Sequence, residues 1–455
     1  MKTILIKNAL RIARMNDARD ELSNSDLLIE GNIIKKIGQG LQAKADRVID
    51  ARDCVVFPGF INTHHHLYQT LTRNLPAVQD SKLFDWLSYL YEVWRHVTPE
   101  GVAISAQVGL GELLLTGCTT SSDHFYLFPG GKSADLIDRE IAAAAEVGMR
   151  FHACRGSMSR GKSKGGLPPD DVVQTEDEIM KDCERLVSKY HDRKPYAMTR
   201  IALAPCSPFS VTTELLKLSA QMAEKWDVRL HTHLAETLDE EAYCLELHKM
   251  RPLAYMESVG WLEGGRSWFA HCVHMNEAES KLMGKTKTGV AHCPSSNLRL
   301  GSGIAPARMY LQHGVPLGLG VDGSASNDCC DMLAEVRQAM LVARVKSGVH
   351  SMPARDALWI ATRGGAQVLG RDDIGELSPG KAADVALFDL SGIDFAGSLS
   401  DPVAAAVFCG ASHKAKHVFV DGKPVVQDGR LVNVDETVLA RQANKLSQEM
   451  LEKAA

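Results

Sequence analysis

Two histidines separated by a single residue are the first side chains in this chain that could do chemistry. His64 and His66 end the segment 60–66, which begins with the apolar character of a short strand. Alternate residues of a strand face the same side, so both imidazoles point one way and His65 points the other, where we assign it a structural role. Because neutral imidazole is a good ligand for zinc and iron, this spacing predicts half of a metal site.

A third histidine is followed, three residues later, by a glutamate. His233 ends the strand-like segment 228–233, and Glu236 comes just after it. A carboxylate in that position can reach a metal-bound water without being a ligand, which is what a general acid and base must do. The alternative is an ordinary glutamate at a helix N-terminus, stabilised by the helix dipole. The local pattern leaves both interpretations open.

Two further strand ends carry polar side chains. His271 follows the mostly apolar run 267–270, and Asp322 follows the run 317–321 beside a glycine. Barrel active sites gather at the carboxyl ends of the strands, so a carboxylate there predicts catalysis or metal binding. His274 and His292 are interpreted as packed or hydrogen-bonded histidines.

The elements that would position these residues alternate between short strands and helices over residues 59–375. Repeated strand–helix units of this length predict a parallel sheet closed into a (β/α)8 barrel. An open doubly wound sheet is the alternative, but no Gly-x-Gly-x-x-Gly motif follows the first strand of this region. The predicted fold class is therefore α/β, with a TIM-like barrel at its centre.

Both ends of the chain have a different pattern. Residues 1–58 and 376–434 show short strands joined by tight turns, which together predict one small β-sandwich domain built from both chain ends. Residues 435–455 are rich in Leu, Ala, Gln, Lys and Glu and predict a closing helix.

Composition restricts the class of protein. With 455 residues, 45% hydrophobic and 24% charged, the chain has ordinary globular usage, and its net charge of −5 argues against a nucleic-acid polymer or a membrane as partner. No apolar run approaches the roughly 20 residues that span a bilayer, and the N-terminus does not resemble a signal peptide. The 11 cysteines are scattered, with Cys329 and Cys330 interpreted as buried apolar residues, so we expect a reducing cytoplasm.

Taken in chain order, the histidine and carboxylate segments resemble the amidohydrolase superfamily. The similarity is strongest to the branch that contains guanine deaminase, S-adenosylhomocysteine deaminase and the triazine hydrolases, and it extends over essentially the whole chain. Residues 375–384 are similar to the family's usual return into the β-domain. The segments that carry the resemblance are 58–66, 233–236, 271–274 and 320–324.

The resemblance implies one divalent metal ion per chain, with zinc as the expected metal and iron as the alternative. Dinuclear relatives usually carry a bridging lysine at the end of the fourth barrel strand, and no lysine ends the segment 201–204. The implied ligands are His64, His66, His233 and Asp322.

The resemblance also implies the chemistry, which is hydrolytic deamination of a small purine-like molecule, in a protein expected to be a homo-oligomer. Asp322 would take a proton from the attacking water, and His271 would hydrogen-bond the attacking oxygen. Glu236 would protonate the ring nitrogen beside the attacked carbon and then the departing ammonia, a role typically worth about 10²–10⁴-fold in rate.

Four other residues are candidates for substrate contact. Gln69 matches a purine-contacting glutamine of the guanine deaminases, and Trp86 either covers a flat ring or belongs to the core. Arg155 either grips a carbonyl or anionic ring through its planar donors or forms a surface salt bridge. Cys206 stands where guanine deaminase has an arginine and the adenosyl-deaminating relatives a histidine, which argues against plain guanine.

The run 63–94 resembles bacterial 8-oxoguanine deaminases, which implies conversion of 8-oxoguanine and water to urate and ammonia. Isoguanine, guanine or another aminated purine or pterin is the near alternative, and a triazine hydrolase is the next. A non-catalytic scaffold that has lost its metal is the remaining hypothesis, and the presence of all four implied ligands argues against it.

Overall fold

The first strands of the chain begin a sheet outside the barrel. The computed structural model describes residues 2–130, 135–410 and 413–454. Strand β1 is long enough to pair antiparallel with β2 and parallel with both β4 and β5. These first strands are β1 (Thr3–Ala13), β2 (Glu21–Glu30), β3 (Ile33–Gly38), β4 (Arg47–Asp50) and β5 (Cys54–Pro58).

The middle of the chain forms a closed barrel of eight parallel strands. Consecutive strands pair in sequence order, and the last pairs with the first through Leu319 and Asn62. The predicted (β/α)8 barrel is therefore confirmed. Its strands are β6 (Phe60–Asn62), β7 (Cys118–Phe125), β8 (Arg150–Ser157), β9 (Thr199–Pro205), β10 (Arg229–Leu234), β11 (Ser267–His271), β12 (Gly289–His292) and β13 (Leu317–Leu319).

The end of the chain returns to the first sheet, which confirms that the small β-domain is built from both chain ends. Strand β14 pairs antiparallel with β5, so the two halves join directly. All nine strands form one sheet instead of the two separate sheets of a simple sandwich, because β1 links β2, β4 and β5. The returning strands are β14 (Val385–Asp389), β15 (His417–Val420), β16 (Lys423–Gln427) and β17 (Arg430–Leu431).

Helices surround the barrel, and several begin at side-chain caps. Thr98 caps α2 with Pro99 in its first turn, and Thr175 and Glu178 form a reciprocal capping box on α4. Of the helices in the described residues, none is long and apolar enough to cross a membrane. The α-helices are α1 (Leu83–Trp94), α2 (Pro99–Leu115), α3 (Leu136–Val147), α4 (Glu176–Tyr190), α5 (Thr213–Trp226), α6 (Leu238–His248), α7 (Pro252–Ser258), α8 (Glu277–Thr286), α9 (Pro294–Arg299), α10 (Ala307–Gln312), α11 (Met332–Ser347), α12 (Ala354–Trp359), α13 (Gly365–Val368), α14 (Pro402–Phe408) and α15 (Glu436–Ala454).

Candidate active site

Three imidazoles at the carboxyl ends of β6 and β10, those of His64 and His66 buried and that of His233 half-buried, each have one ring nitrogen held by a fixed acceptor. His66 Nδ1 lies 2.8 Å from the carbonyl oxygen of His124, and His233 Nδ1 lies 2.6 Å from that of Cys206. A carbonyl can only accept, so Nδ1 carries the proton in both rings. The Nε2 lone pair of each ring is therefore left for another partner.

His64 reaches the same tautomer through a second histidine. His231 Nδ1 lies 2.9 Å from the carbonyl oxygen of Trp268, which can only accept, so His231 carries its proton on Nδ1 and its Nε2 is an acceptor. His64 Nδ1 lies 2.7 Å from this acceptor and must donate to it. The buried Nε2 of His64 then has no hydrogen-bond partner among the described residues.

The three free lone pairs converge with one carboxylate. His66 Nε2 lies 3.0 Å from His233 Nε2, and Asp322 Oδ1 lies 3.2 Å from His64 Nε2 and 3.4 Å from His66 Nε2. Burial lowers the pKa of all three imidazoles, that of His233 to about 3, so the rings are neutral at physiological pH. Four acceptor atoms facing one another without a proton need a cation, and nitrogen and carboxylate donors suit zinc or iron.

Asp322 is held by hydrogen bonds and by an unusual backbone. Ser296 Oγ donates to Oδ2 at 2.5 Å, and the backbone N–H of Gly323 donates to Oδ1 at 2.7 Å. The φ angle of Asp322 is 63°, and that of His271, at the end of β11, is 70°. Non-glycine residues rarely adopt this left-handed conformation, and such strain concentrates at functional sites.

Glu236 and His271 face each other beside this cluster. His271 Nε2 lies 3.5 Å from Glu236 Oε2 and 3.9 Å from Asp322 Oδ2, while its Nδ1 lies 2.9 Å from Asn297 Oδ1. Burial raises the pKa of Glu236 above its ordinary value even though His271 lowers it. Burial opposes the charge on His271, but the carboxylates of Glu236 and Asp322 outweigh it and raise the pKa of that imidazole. Both groups are thereby shifted towards the protonated form.

A second glutamate accepts hydrogen bonds from the backbone of the turn that carries Glu236. Glu240, on α6, accepts from the backbone N–H of Ala235 at 2.8 Å and of Glu236 at 3.1 Å. Ala235 has a φ of 50°, so this turn also holds a non-glycine residue in the left-handed region. Ser302 Oγ donates to Glu236 Oε1 at 3.3 Å, which orients the carboxyl group towards His271.

A cavity of about 440 Å³ opens onto these groups. Helix α1 contributes an apolar wall, and the buried indole N–H of Trp86 has no hydrogen-bond partner within the described parts of the chain. Gly323 faces Gln69, and a Cβ there would lie 1.8 Å from Gln69 Oε1, so only glycine leaves room for the amide. The lining residues are His66, Gln69, Leu83, Trp86, Leu87, Tyr91, Tyr126, Cys206, Ser207, Phe209, His233, Glu236, His271, Leu300, Asp322 and Ser326.

Three of the four predicted substrate-contact residues, Gln69, Trp86 and Cys206, line this cavity, and Arg155 does not. The Arg155 side chain is fully buried elsewhere, with Nε 2.8 Å from Asp182 Oδ2 and Nη2 2.8 Å from Gln174 Oε1. Its guanidinium also lies over the ring of Phe128, with 3.9 Å to the centroid. Arg155 therefore packs α4 against the barrel, in a salt bridge that is buried instead of exposed.

Several residues that hydrogen-bond the side chains of the site were not predicted from the sequence. His231 precedes His233 by two residues on β10, the same spacing as His64 and His66, and this could have marked it. Asn297 and Ser302 had no comparable signal, because they come from α9 and the loop beyond it and meet the site only through the fold.

The closed (β/α)8 barrel and the cluster of His64, His66, His233 and Asp322 at its carboxyl end are together typical of one class of hydrolase. Residues 55–425 match the Amidohydrolase family, and the chain belongs to it. It is a metal-dependent hydrolase that acts on carbon–nitrogen bonds, a deaminase.

Individual relatives are similar over nearly their whole length. The chain is 48% identical to the 8-oxoguanine deaminase of Pseudomonas aeruginosa, over 96% of this chain and 97% of that one. It is 34% identical to an isoxanthopterin deaminase from an unknown prokaryotic organism, over 98% and 97%. The crystal structure of atrazine chlorohydrolase from Arthrobacter aurescens, complexed with zinc, superposes with a TM-score of 0.93 at 37% identity, over 98% of this chain and 100% of that one.

Proposed function

We propose that this protein deaminates an oxidised purine base, converting 8-oxoguanine and water to urate and ammonia. The substrate assignment rests on the full-length similarity to an 8-oxoguanine deaminase at 48% identity. The chemistry is supported by Glu236 and His271, which lie side by side and line the same cavity as Gln69, Trp86 and Cys206.

His64, His66, His233 and Asp322 would hold one divalent metal ion, for which we propose zinc. Support comes from the convergence of their unprotonated acceptor atoms and from the zinc in a similar structure. When bound, such an ion lowers the pKa of a water molecule and makes hydroxide available at neutral pH. Elemental analysis of purified protein tests this assignment, because two tightly bound ions per chain, or none in active protein, would contradict it.

The remaining steps belong to side chains of this chain. Asp322 accepts a proton of the attacking water, and the imidazole of His271 donates a hydrogen bond to the developing oxyanion. Glu236 carries its proton at physiological pH more readily than an exposed glutamate, since burial raises its pKa. It donates that proton to the ring nitrogen beside the attacked carbon, takes a second proton from the hydroxyl group of the tetrahedral intermediate and delivers it to the leaving amine, which departs as ammonia. The water proton held by Asp322 then restores the protonated form of Glu236.

Substrate recognition would use the two neutral donors of the cavity wall. The indole N–H of Trp86, which has no partner in the described structure, can donate to a carbonyl oxygen of the base. Burial raises the pKa of the Cys206 thiol to about 12, so this side chain stays neutral and presents no charge to the base. A neutral edge suits the carbonyl and N–H groups on the imidazole side of 8-oxoguanine better than an arginine would.

Direct kinetics on purified protein test the substrate. We expect kcat/KM for 8-oxoguanine to exceed that for guanine by at least about 10²-fold, because buried polar groups left unpaired can cost 10⁴-fold or more. Cys206→Arg should narrow this gap with metal content unchanged, and Cys206→Ser, which keeps the size and neutrality, should preserve it. Equal turnover of both bases by the wild type would refute the assignment of 8-oxoguanine as substrate but not the assignment of the protein as a deaminase.

The same assay decides between the alternatives. Isoxanthopterin is the second candidate, because a relative at 34% identity over 98% of this chain deaminates it. Ammonia release from isoguanine, isoxanthopterin and an amino-triazine, measured beside 8-oxoguanine, ranks the candidates by kcat/KM. A higher value for any of them would replace 8-oxoguanine.

A further inference from the structure

A second cavity lies at the opposite end of the barrel, where the strands begin. It has a volume of about 840 Å³ and is bordered by the first residues of β9 and β10 and by the loop before β11. Four arginines but a single aspartate line it, a surplus of three positive charges in a chain of net charge −5. The five residues are Arg193, Arg200, Arg229, Arg266 and Asp227.

The one aspartate that lines the cavity already forms an ion pair with one of the four arginines. Asp227 Oδ1 lies 3.1 Å from Arg266 Nη1. In the described ranges, no carboxylate oxygen lies within 4.0 Å of the guanidinium of Arg200 or Arg229, and the buried Nε–H of each has no hydrogen-bond partner. Their other contacts are long bonds to carbonyl oxygens, 3.4 Å from Arg200 to Gly370 and 3.3 Å from Arg229 to Gly265.

The backbone around these two arginines leaves room for the guanidinium groups. A Cβ on Gly370 would lie 2.8 Å from Arg229 Nη1, and its φ of 65° also favours glycine. Arg229 lies over the ring of Trp268, with 5.8 Å to the centroid, which fixes its direction. The guanidinium is thus held in place without an anion beside it.

The electrostatics agree with a local excess of positive charge. Burial lowers the pKa of Arg229 to about 10, and repulsion from Arg200 and Arg266 adds to the effect. Burial also lowers the pKa of His191, to about 4, with Arg200 contributing, so the neighbouring histidine adds no charge of its own. Arg200 and Arg229 are both half-buried, and a cation held out of water without a carboxylate partner is unfavourable, so a cavity that contains two of them is suited to an anion.

We propose that this basic cavity binds a phosphate-type dianion, as free phosphate or as the phosphoryl group of a small metabolite. Guanidinium groups bind phosphate oxygens through paired N–H donors, and a phosphoryl group carries about −1.5 to −2 charge at neutral pH. A single carboxylate would neutralise only part of the surplus. The site is separate from the deaminase centre and does not depend on the proposed substrate.

Titration calorimetry of the full chain with inorganic phosphate, and separately with glycerol 3-phosphate, tests the proposal. We expect one ion bound per chain, and a rise in thermal midpoint greater than that given by sodium chloride at equal ionic strength. Arg200→Gln and Arg229→Gln should each weaken binding about tenfold or more, because each removes charge-assisted hydrogen bonds. Tighter binding of the monoester than of phosphate would identify a metabolite as the ligand, and the reverse would identify free phosphate.

A matched control is Arg430→Gln, which removes the same charge from a residue of β17 with a 78% exposed side chain. It should bind phosphate like the wild type. Arg200 is less buried than Arg229, so its variant serves if Arg229→Gln does not fold. A phosphate response equal to that of chloride would overturn the proposal. So would a response undiminished in both variants, which would place the anion elsewhere, as at the metal centre.

Discussion

Replacing His231 with phenylalanine should weaken metal binding without touching a proposed ligand. The imidazole of His231 stacks on Trp268 at 4.3 Å between centroids and 13° between planes, and phenylalanine can keep that stacking. It cannot accept the hydrogen bond from His64 Nδ1, which spans 2.7 Å. His64 would then lose the contact that fixes its tautomer and ring direction.

The size of the effect follows from the bond that is lost. Leaving the buried Nδ1–H of His64 unpaired costs about 1–3 kcal/mol, which corresponds to roughly 5- to 150-fold in metal affinity. Loss of a hydrogen-bond partner behind a metal-binding histidine typically costs 10–100-fold, within the same range. The metal affinity is measured by competition against a chromogenic chelator, with bound metal quantified by elemental analysis.

A matched variant separates hydrogen bonding from packing. His231→Gln places an amide oxygen near the position of the imidazole Nε2, so we expect it to recover most of the affinity. Unchanged affinity in His231→Phe would refute the relay from His64 through His231 to the carbonyl of Trp268. Equal losses in the phenylalanine and glutamine variants would assign the effect to packing.

Three other predictions concern the acid, the cavity wall and the metal. Glu236→Gln should retain metal and thermal midpoint but lose about 10²–10⁴-fold in kcat, and near-normal turnover would return the residue to a helix-capping role. Trp86→Phe should lower kcat/KM about 2- to 10-fold through loss of one neutral hydrogen bond, and any fall in thermal midpoint would come from the smaller buried ring, because the indole N–H lacks a described partner. An unchanged kcat/KM would leave Trp86 a core residue. Removal of metal by a chelator should abolish activity and lower the thermal midpoint, because the metal binds only the folded state, and adding one zinc ion per chain should restore both. A midpoint insensitive to metal would contradict metal binding by the four-residue cluster.

The sequence was sufficient to predict the barrel and the residues that meet at its carboxyl end. Parallel strands of one barrel all end on the same face, so residues at the ends of β6, β10, β11 and β13 must approach one another whatever the loops do. His64 and His66 could be paired by the two-residue repeat alone. Their convergence with Asp322, about 260 residues later, required only the fold class.

The residues that the sequence did not reveal depend on contacts between distant elements. Arg155 lies on a barrel strand near the site, but its guanidinium forms a salt bridge with Asp182 on α4. No pattern along the chain predicts this pair. The left-handed backbone at Ala235, His271 and Asp322 is equally invisible, because aspartate and histidine adopt it only in a minority of cases and alanine rarely. Side-chain direction at a strand end is set by such local geometry as much as by strand periodicity.

The energetics of the site argue against a non-catalytic scaffold. Three non-glycine residues of the site have left-handed backbone conformations, each costing about 1–3 kcal/mol. Beside them, His64 Nε2 is buried without a hydrogen-bond partner in the described structure, and Glu236 and Asp322 are buried carboxylates. Apolar side chains in these positions would stabilise the barrel, so this arrangement is unfavourable for folding alone. A bound cation satisfies the converging acceptors and offsets part of that cost, which makes metal-dependent chemistry the physical reason for the cluster.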